Sequence, residues 1–352
     1  MMAPPRKRRA SGGEADVVDP MTEGNENVAP AGNVMVKKEV GKPRVKVYGL
    51  HEAVKEAIER MSGTEECFEI TLDGRNIGED GLKVLLEAVE DSEDVAILSL
   101  DDNDIGPEGA YRVAELLRVH PKLQIVSLSG NKIGDEGARY LAEAMGSAEC
   151  KSKLCDLYLA KNEIGDEGAK ALADVIATEG CSLVNVILSR NKITEVGMDA
   201  LCGALMENES VEYLNVSINA FSTQGALAAA KLLESNATLK QLYMGGNNIG
   251  DEGCSALADA FKQNSTCSTL SIEGSQISDV GALAVAQAIK FSKTLKEVVL
   301  VANAIKDEGA RALADAISKT SGRTQVNIFC NEVSDEFLND PSNIPANLRC
   351  QL

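Results

Sequence analysis

Tryptophan is absent from the 352 residues, and aromatic residues together supply only 3% of the chain. Any core must therefore be filled by Leu, Ile, Val and Ala, which suits thin layers of small aliphatic side chains. Histidine is almost missing too. His51 and His120 stand far apart, the second beside Pro121, so they define neither a metal site nor an acid–base pair and are read as surface residues. No apolar run marks a signal peptide or a membrane span. The nine cysteines, at 67, 150, 155, 181, 202, 254, 267, 330 and 350, are odd in number and dispersed. That excludes a disulfide framework and places reduced thiols in the cytosol or nucleus. Cys150 and Cys155 flank an insertion, but no second Cys or His pair follows at zinc spacing, so no metal is expected. Neither a phosphate-cradling G-x-x-x-x-G-K-[ST] run nor a G-x-S-x-G nucleophile elbow occurs, and no cofactor or small-molecule substrate is expected. Basic residues are outnumbered 35 to 54, a net charge of -19. Such a surface repels phosphate backbones and anionic lipid, which argues against nucleic-acid and membrane partners.

What the chain does have is a repeat. Shifted by 28 residues, it aligns a pattern L-x-x-L-x-L-x-x-N, as in Leu123-Val126-Leu128-Asn131 and Leu239-Leu242-Met244-Asn247. The last column falls at 75, 103, 131, 162, 191, 219, 247, 275, 303 and 331, and is Asn except at Arg75 and Ser275. Six residues after each of the first nine column positions stands a glycine, Gly81 through Gly309. Apolar residues then follow at helical spacing, as in Ala169-Leu172-Ala173-Ile176. Each repeat is thus one short strand and one helix. Repetition in one direction predicts an α/β solenoid: a concave parallel sheet of about ten strands, curved like a horseshoe, with helices on the convex side. The Asn column has a physical reason, because a carboxamide carries both donors and acceptors for backbone groups that leave the sheet. Stacked, these residues form an internal ladder. The glycine column suits either a φ barred to other residues or a close approach between helices. The acid pairs Asp135-Glu136, Asp166-Glu167, Asp251-Glu252 and Asp307-Glu308 stand at helix starts, where capping and the helix dipole favour them over a catalytic or calcium role.

The ends differ from the middle. Residues 1–42 are rich in Pro, Gly, Glu and Asn and have neither periodicity, which predicts a disordered arm. Arg6-Lys7-Arg8-Arg9 in that arm reads as a solvated basic run or a nuclear import signal, and Ser11 fits a basophilic kinase site. Residues 43–67 hold an apolar pattern, Leu50, Val54, Ala57, Ile58 and Met61, expected to form an N-terminal helical cap. The repeats occupy 68–333. After them Pro341 and Pro345 break the pattern, so 334–352 is expected to be an irregular C-terminal cap.

The N-x-I-G-D-E-G-A block, Asn131 to Ala138 and Asn162 to Ala169, resembles the ribonuclease-inhibitor class of leucine-rich repeats. That class includes the inhibitor, sensing domains of NOD-like receptors, Ran GTPase-activating proteins and axonemal subunits. The resemblance implies the solenoid fold. It is specific for fold and not for function, so the expectation of a cytoplasmic or nuclear protein rests on the reduced cysteines and the Arg6–Arg9 run.

Alternation along each strand turns the positions four and two before the Asn column to the concave face. Tyr158, Ile187 and Tyr243, with Tyr213 in a neighbouring column, cluster there on the fourth to seventh strands, and Lys161 and Arg190 stand at the strand exits. Tyr and Arg are typical of interface hot spots. Val299, Val301 and Phe329 form a second, apolar patch. Glu69, Asp73, Asp101 and Asp102 make the first strands acidic, which favours a basic partner. The expected function is a non-enzymatic interaction scaffold or stoichiometric subunit binding through this face. The alternative is a Ran-type GTPase-activating protein, because Leu100-Asp101-Asp102-Asn103-Asp104-Ile105-Gly106-Pro107 looks like that family's L-S-D-N-A-F-G-P block. The third repeat carries Ser129-Gly130-Asn131-Lys132 where that family has an N-N-G-type turn, so no catalytic residue is carried across.

Overall fold

The computed structural model describes residues 51–63, 67–92 and 94–350. The basic arm with Arg6–Arg9 and Ser11, and residues 43–50 of the expected cap, lie outside the described residues. The strands are β1 (Glu69–Thr71), β2 (Ile97–Ser99), β3 (Ile125–Ser127), β4 (Asp156–Tyr158), β5 (Asn185–Ile187), β6 (Tyr213–Asn215), β7 (Gln241–Tyr243), β8 (Thr269–Ser271), β9 (Glu297–Val299), β10 (Gln325–Asn327) and β11 (Leu348–Arg349). The helices are α1 (Glu52–Ser62), α2 (Gly78–Glu90), α3 (Pro107–Val119), α4 (Gly134–Met145), α5 (Asp166–Ile176), α6 (Glu195–Leu205), α7 (Thr223–Ser235), α8 (Gly250–Phe261), α9 (Asp279–Phe291), α10 (Asp307–Lys319) and the one-turn α11 (Asp335–Leu338). All eleven strands join one open parallel sheet in sequence order. The sequence reading stops at about ten. The eleventh strand comes from the tail read as irregular, where Leu348 pairs with Val326 after α11 and a 3₁₀ turn at Pro341–Asn343. Its backbone pairing needs no Leu-x-x-Leu signature, so periodicity does not reveal it.

Each repeat buries the same columns. In the fourth, Leu157, Leu159 and Ile164 from the strand side meet Ala169, Leu172 and Ile176 of α5, each at most 1% exposed. A buried aliphatic side chain contributes about 1.5–3 kcal/mol, so the stack is held by many equal layers and not by one centre. Parallel hydrogen bonding runs past the three strand residues, with Leu128 N donating to Tyr158 O (2.9 Å) and Gly130 N to Ala160 O (2.8 Å). The chain then turns. The residue before the Asn column has φ between 51° and 69° in all ten repeats, including non-glycine residues Asp102, Lys161, Arg190, Ile218, Ala302 and Cys330. This left-handed step aims the following Asn back beneath the strands.

The ladder expected from sequence is present. Asn191 Nδ2 donates to Leu159 O (2.9 Å) in the preceding repeat and to Leu188 O (3.0 Å) in its own, while its Oδ1 accepts from Asn162 N (2.9 Å) and Ile164 N (3.0 Å). One side chain thus satisfies four backbone groups across two repeats. The glycine column answers to close approach. Gly168 has no left-handed φ, and a Cβ on it would lie 2.7 Å from Ile164 Cγ2 and 2.8 Å from Asp135 Oδ1.

That last contact corrects the reading of the acid pairs. The Asp caps the helix of the following repeat, not its own: Asp135 Oδ1 accepts from Gly165 N (2.6 Å) and Gly168 N (2.9 Å) at the start of α5. Asp251 does the same for α9 through Ser278 N (2.8 Å) and Gly281 N (2.9 Å).

His120 also departs from expectation. It is 1% exposed, with Nε2 2.9 Å from Ser92 O. It stands eleven residues before the Asn column, where later repeats place Asn208, Asn236 and Asn264. Asn208 there donates to Ile176 O (2.8 Å) and accepts from Val211 N (2.7 Å). His120 is therefore a rung of a second inter-repeat ladder, at the opposite end of the strands.

Candidate partner-binding face

The side of the sheet away from the helices is the open face, because successive strand side chains alternate between core and open side. Three columns line it, not two. The first residue of each strand, six before the Asn column, joins the two columns read from sequence and adds Asp156, Asn185 and Gln241 around the tyrosines. These three residues precede the first of the two columns counted from the Asn ladder, so that spacing alone does not mark them.

At the centre, Tyr213 of β6 and Tyr243 of β7 pack ring on ring, centroids 5.0 Å apart and tilted by 31°. Such aromatic pairs contribute about 0.5–1.5 kcal/mol beyond the area they cover. The Tyr243 hydroxyl donates to Gln241 Oε1 (3.1 Å). On β4, two strands from Tyr213 and three from Tyr243, the Tyr158 hydroxyl donates to Asp156 Oδ2 (3.2 Å), and Asn185 Nδ2 holds the other oxygen of that carboxylate (2.6 Å). Burial raises the Asp156 carboxyl above its ordinary value, and burial with the neighbouring carboxylate also pushes the Tyr158 phenol up. Ile187 pairs in register with both Tyr158 and Asn215. Tyr158, Ile187, Tyr213 and Tyr243 are all half-buried. From β4 to β7 the platform spans about 15 Å at strand spacing. Ser217, 6% exposed, adds a hydroxyl on the same face for which the described residues supply no hydrogen-bond partner.

The other predicted residues fall differently. Lys161 is exposed at the strand exit and turns toward the N-terminal strands, its Nζ 3.2 Å from Asp102 Oδ1. Arg190 is exposed and forms no ion pair among the described residues. Val299, Val301 and Phe329 sit on and just past β9 and β10, at least two strands beyond Tyr243, and are half-buried. They form a separate patch. At the acidic end, Asp101 accepts from Ser127 Oγ (2.6 Å) and Ser129 N (2.7 Å), and Asp73 from Ser99 Oγ (2.7 Å) and Asp101 N (2.9 Å). These carboxylates therefore stitch neighbouring strands as well as charging the face. Burial raises the Asp101 carboxyl despite those donors.

The block from Leu100 to Pro107 is accounted for by the repeat frame. Leu100 and Ile105 are core, Asn103 is a ladder rung donating to Leu72 O (2.8 Å), and Pro107 opens α3. Cys150 and Cys155 donate to the carbonyls of Leu117 and Lys153, each at 3.3 Å, and burial pushes the Cys254 and Cys267 thiols up to about 12. Among the described residues no three His, Cys, Asp or Glu side chains converge as metal ligands, and no helix is long and apolar enough to cross a membrane.

A model described as Leucine Rich repeat matches residues 95–114, 119–142, 151–173, 235–258 and 291–314. No curated protein matches the chain. Among solved structures, an internalin from Listeria monocytogenes is 15% identical with a TM-score of 0.43, covering 81% of this chain and 89% of that one. The actin-binding site 2 of leiomodin-1 is 19% identical with a TM-score of 0.38, covering 42% of this chain and 87% of that one.

Proposed function

Because this chain is a leucine-rich-repeat protein, we propose that it is a non-enzymatic scaffold or stoichiometric subunit whose open face, centred on β4 to β7, binds a basic segment of a protein partner. One observation carries the reading. The three open-face columns of ten repeats offer thirty positions, and these hold six carboxylates, Glu69, Asp73, Asp101, Asp156, Glu273 and Glu297, but no lysine or arginine. A face of a single sign speeds encounter with the opposite sign and repels partners of like charge. Tyr158, Tyr213 and Tyr243 supply ring faces on which a guanidinium or ammonium can rest, with Asp156 as the counter-charge. The Val299, Val301 and Phe329 patch adds an apolar anchor further along, and Lys161 and Arg190 mark the rim.

The test is affinity capture of the tagged full chain from its own cells, with cross-linking mass spectrometry. A captured protein whose Lys- or Arg-rich segment cross-links beside β4 to β7, and which is released by raised salt, supports the reading. Cross-links confined to the helix side, or GTP hydrolysis stimulated on a captured GTPase, would replace it.

A further inference from the structure

We propose that the helix side carries a second docking site, a groove running over α7 between α6 and α8, and that its occupant is a basic amphipathic helix of a partner protein. The groove encloses about 650 Å³. Its floor is apolar and small, with Leu227, Ala228 and Ala230 of α7 beside Ala256 of α8 and Val196 of α6. Neighbouring helices pack about 8–10 Å apart, so the two flanking helices leave a trough that matches the roughly 10 Å girth of one more helix.

The repeat provides its own control for what this surface normally carries. Two residues after the repeat glycine, α2, α4, α5 and α10 have Lys83, Arg139, Lys170 and Arg311, whereas α6 to α9 have Asp199, Leu227, Ser255 and Leu283. Immediately before the glycine, α4, α5 and α10 have Glu136, Glu167 and Glu308, whereas α6 and α9 have Val196 and Val280. Those valines are 53% and 60% exposed, and Leu283 is 38% exposed. Ion pairs within one helix decorate α3, α4, α5 and α10, but α6 and α7 have none among the described residues. Loss of cations at one periodic position and of carboxylates at the other, with exposed apolar side chains in their place, is the pattern of an interaction surface.

Charge selects the occupant. Glu195, Asp199, Glu234 and Asp259 rim the groove, against Lys231 as the only cation in its lining. An apolar stripe flanked by Lys or Arg complements floor and rim together. A second copy of this chain does not, because the net charge of -19 on each opposes self-association.

The experiment uses the full chain and a fluorescent helical peptide of about 15 residues with a Leu/Ala stripe flanked by Lys, beside its Glu-flanked counterpart. The binding variant combines Asp199→Lys and Leu227→Arg, residue types that four other helices already carry there, so its melting curve is expected to match the parent. The expected result is binding of the Lys-flanked peptide only, weakened about tenfold in the double variant. Substitution of Tyr158, Tyr213 and Tyr243 by Ala is expected to leave that binding unchanged, which separates this groove from the open face. Equal affinity for parent and double variant, no binding of the Lys-flanked peptide, or self-association abolished by the double variant each overturns the proposal.

Discussion

Asp166 of α5 and Thr194 of the next repeat are joined by two hydrogen bonds at the start of α6, where Gly197 adds a third to the same carboxylate. Asp166 Oδ1 accepts from Thr194 N (2.8 Å) and Gly197 N (2.9 Å), and Oδ2 accepts from Thr194 Oγ1 (2.6 Å). The acid thus belongs to one helix by sequence and caps the next by contact. Burial works to raise its carboxyl, but the donors on Thr194 and Gly197 together hold it below the ordinary value near 3.8. A depressed folded-state pKa means stabilisation that is complete above the unfolded value and lost as pH falls through the folded one. Asp166→Ala should cost about 1 kcal/mol in urea unfolding at pH 7. The difference from the parent should shrink below about pH 4. A pH-independent difference would show that the carboxylate is not the capping group.

The Asn ladder makes two opposite predictions. Asn191→Ala removes partners from four backbone groups and should lower stability by roughly 1–3 kcal/mol. Ser275 is the one interior position of the column without a carboxamide, and it is fully buried. Among the described residues its hydroxyl reaches only Glu273 O (3.0 Å), in its own repeat. Ser275→Asn should therefore complete the run between Asn247 and Asn303 and raise stability by about 1 kcal/mol. An unchanged denaturation midpoint for Asn191→Ala would remove the ladder from the account of how repeats are coupled.

How much of this is legible in sequence follows from what is periodic. The strand and helix of each repeat, the Asn rungs and the core columns recur at one spacing, so they stand out against a single chain. The direction of capping does not, because Asp135 and Gly168 lie 33 residues apart and only stacking brings Asp135 Oδ1 within 2.9 Å of Gly168 N. His120 was hidden for a related reason. Its ladder position is shared with Asn208 and Asn236, but a different side chain there breaks the column, and the flanking Pro121 suggests an exposed loop. On the open face, the pairing of Tyr213 with Tyr243 crosses two columns, and the buried Asp156 carries no sequence signal apart from its place in the strand. The groove over α7 leaves no mark in the sequence, because alanine and leucine in a helix read as core wherever they fall.

His120 provides a pH-dependent test of the second ladder. Burial depresses its imidazole below the ordinary value of 6.5, even though the Ser92 carbonyl favours the protonated ring. Its Nδ1 has no partner among the described residues. Because the unfolded chain takes up the proton first, the stability tied to this site is full above about pH 6.5 and declines as pH falls through the folded-state value. His120→Asn should abolish that slope and, by accepting the backbone N–H groups as Asn208 does, match or exceed the parent in melting temperature at pH 7. A steeper acid slope in the variant would mean that His120 is not the titrating rung.

The open face gives the functional prediction, and its two kinds of residue should fail in different ways. Tyr158, Tyr213 and Tyr243 are half-buried and contribute roughly 0.2–1 kcal/mol each to cross-strand packing, well below the 2–5 kcal/mol expected for a core change such as Leu214→Ala. Their joint replacement by Ala should therefore abolish capture of the partner while the chain still unfolds cooperatively near the parent's denaturation midpoint. Glu69 and Asp73 lie at the N-terminal end of the sheet, exposed and away from the ring platform. Glu69→Lys with Asp73→Lys should slow association several-fold at low salt and leave dissociation nearly unchanged, because peripheral charge steers encounter more than it holds a complex. Surface plasmon resonance against the captured partner separates the two rates. Undiminished binding by the triple tyrosine variant would move the interface off this face. A charge-reversal effect confined to dissociation would place Glu69 and Asp73 inside the contact instead of at its margin.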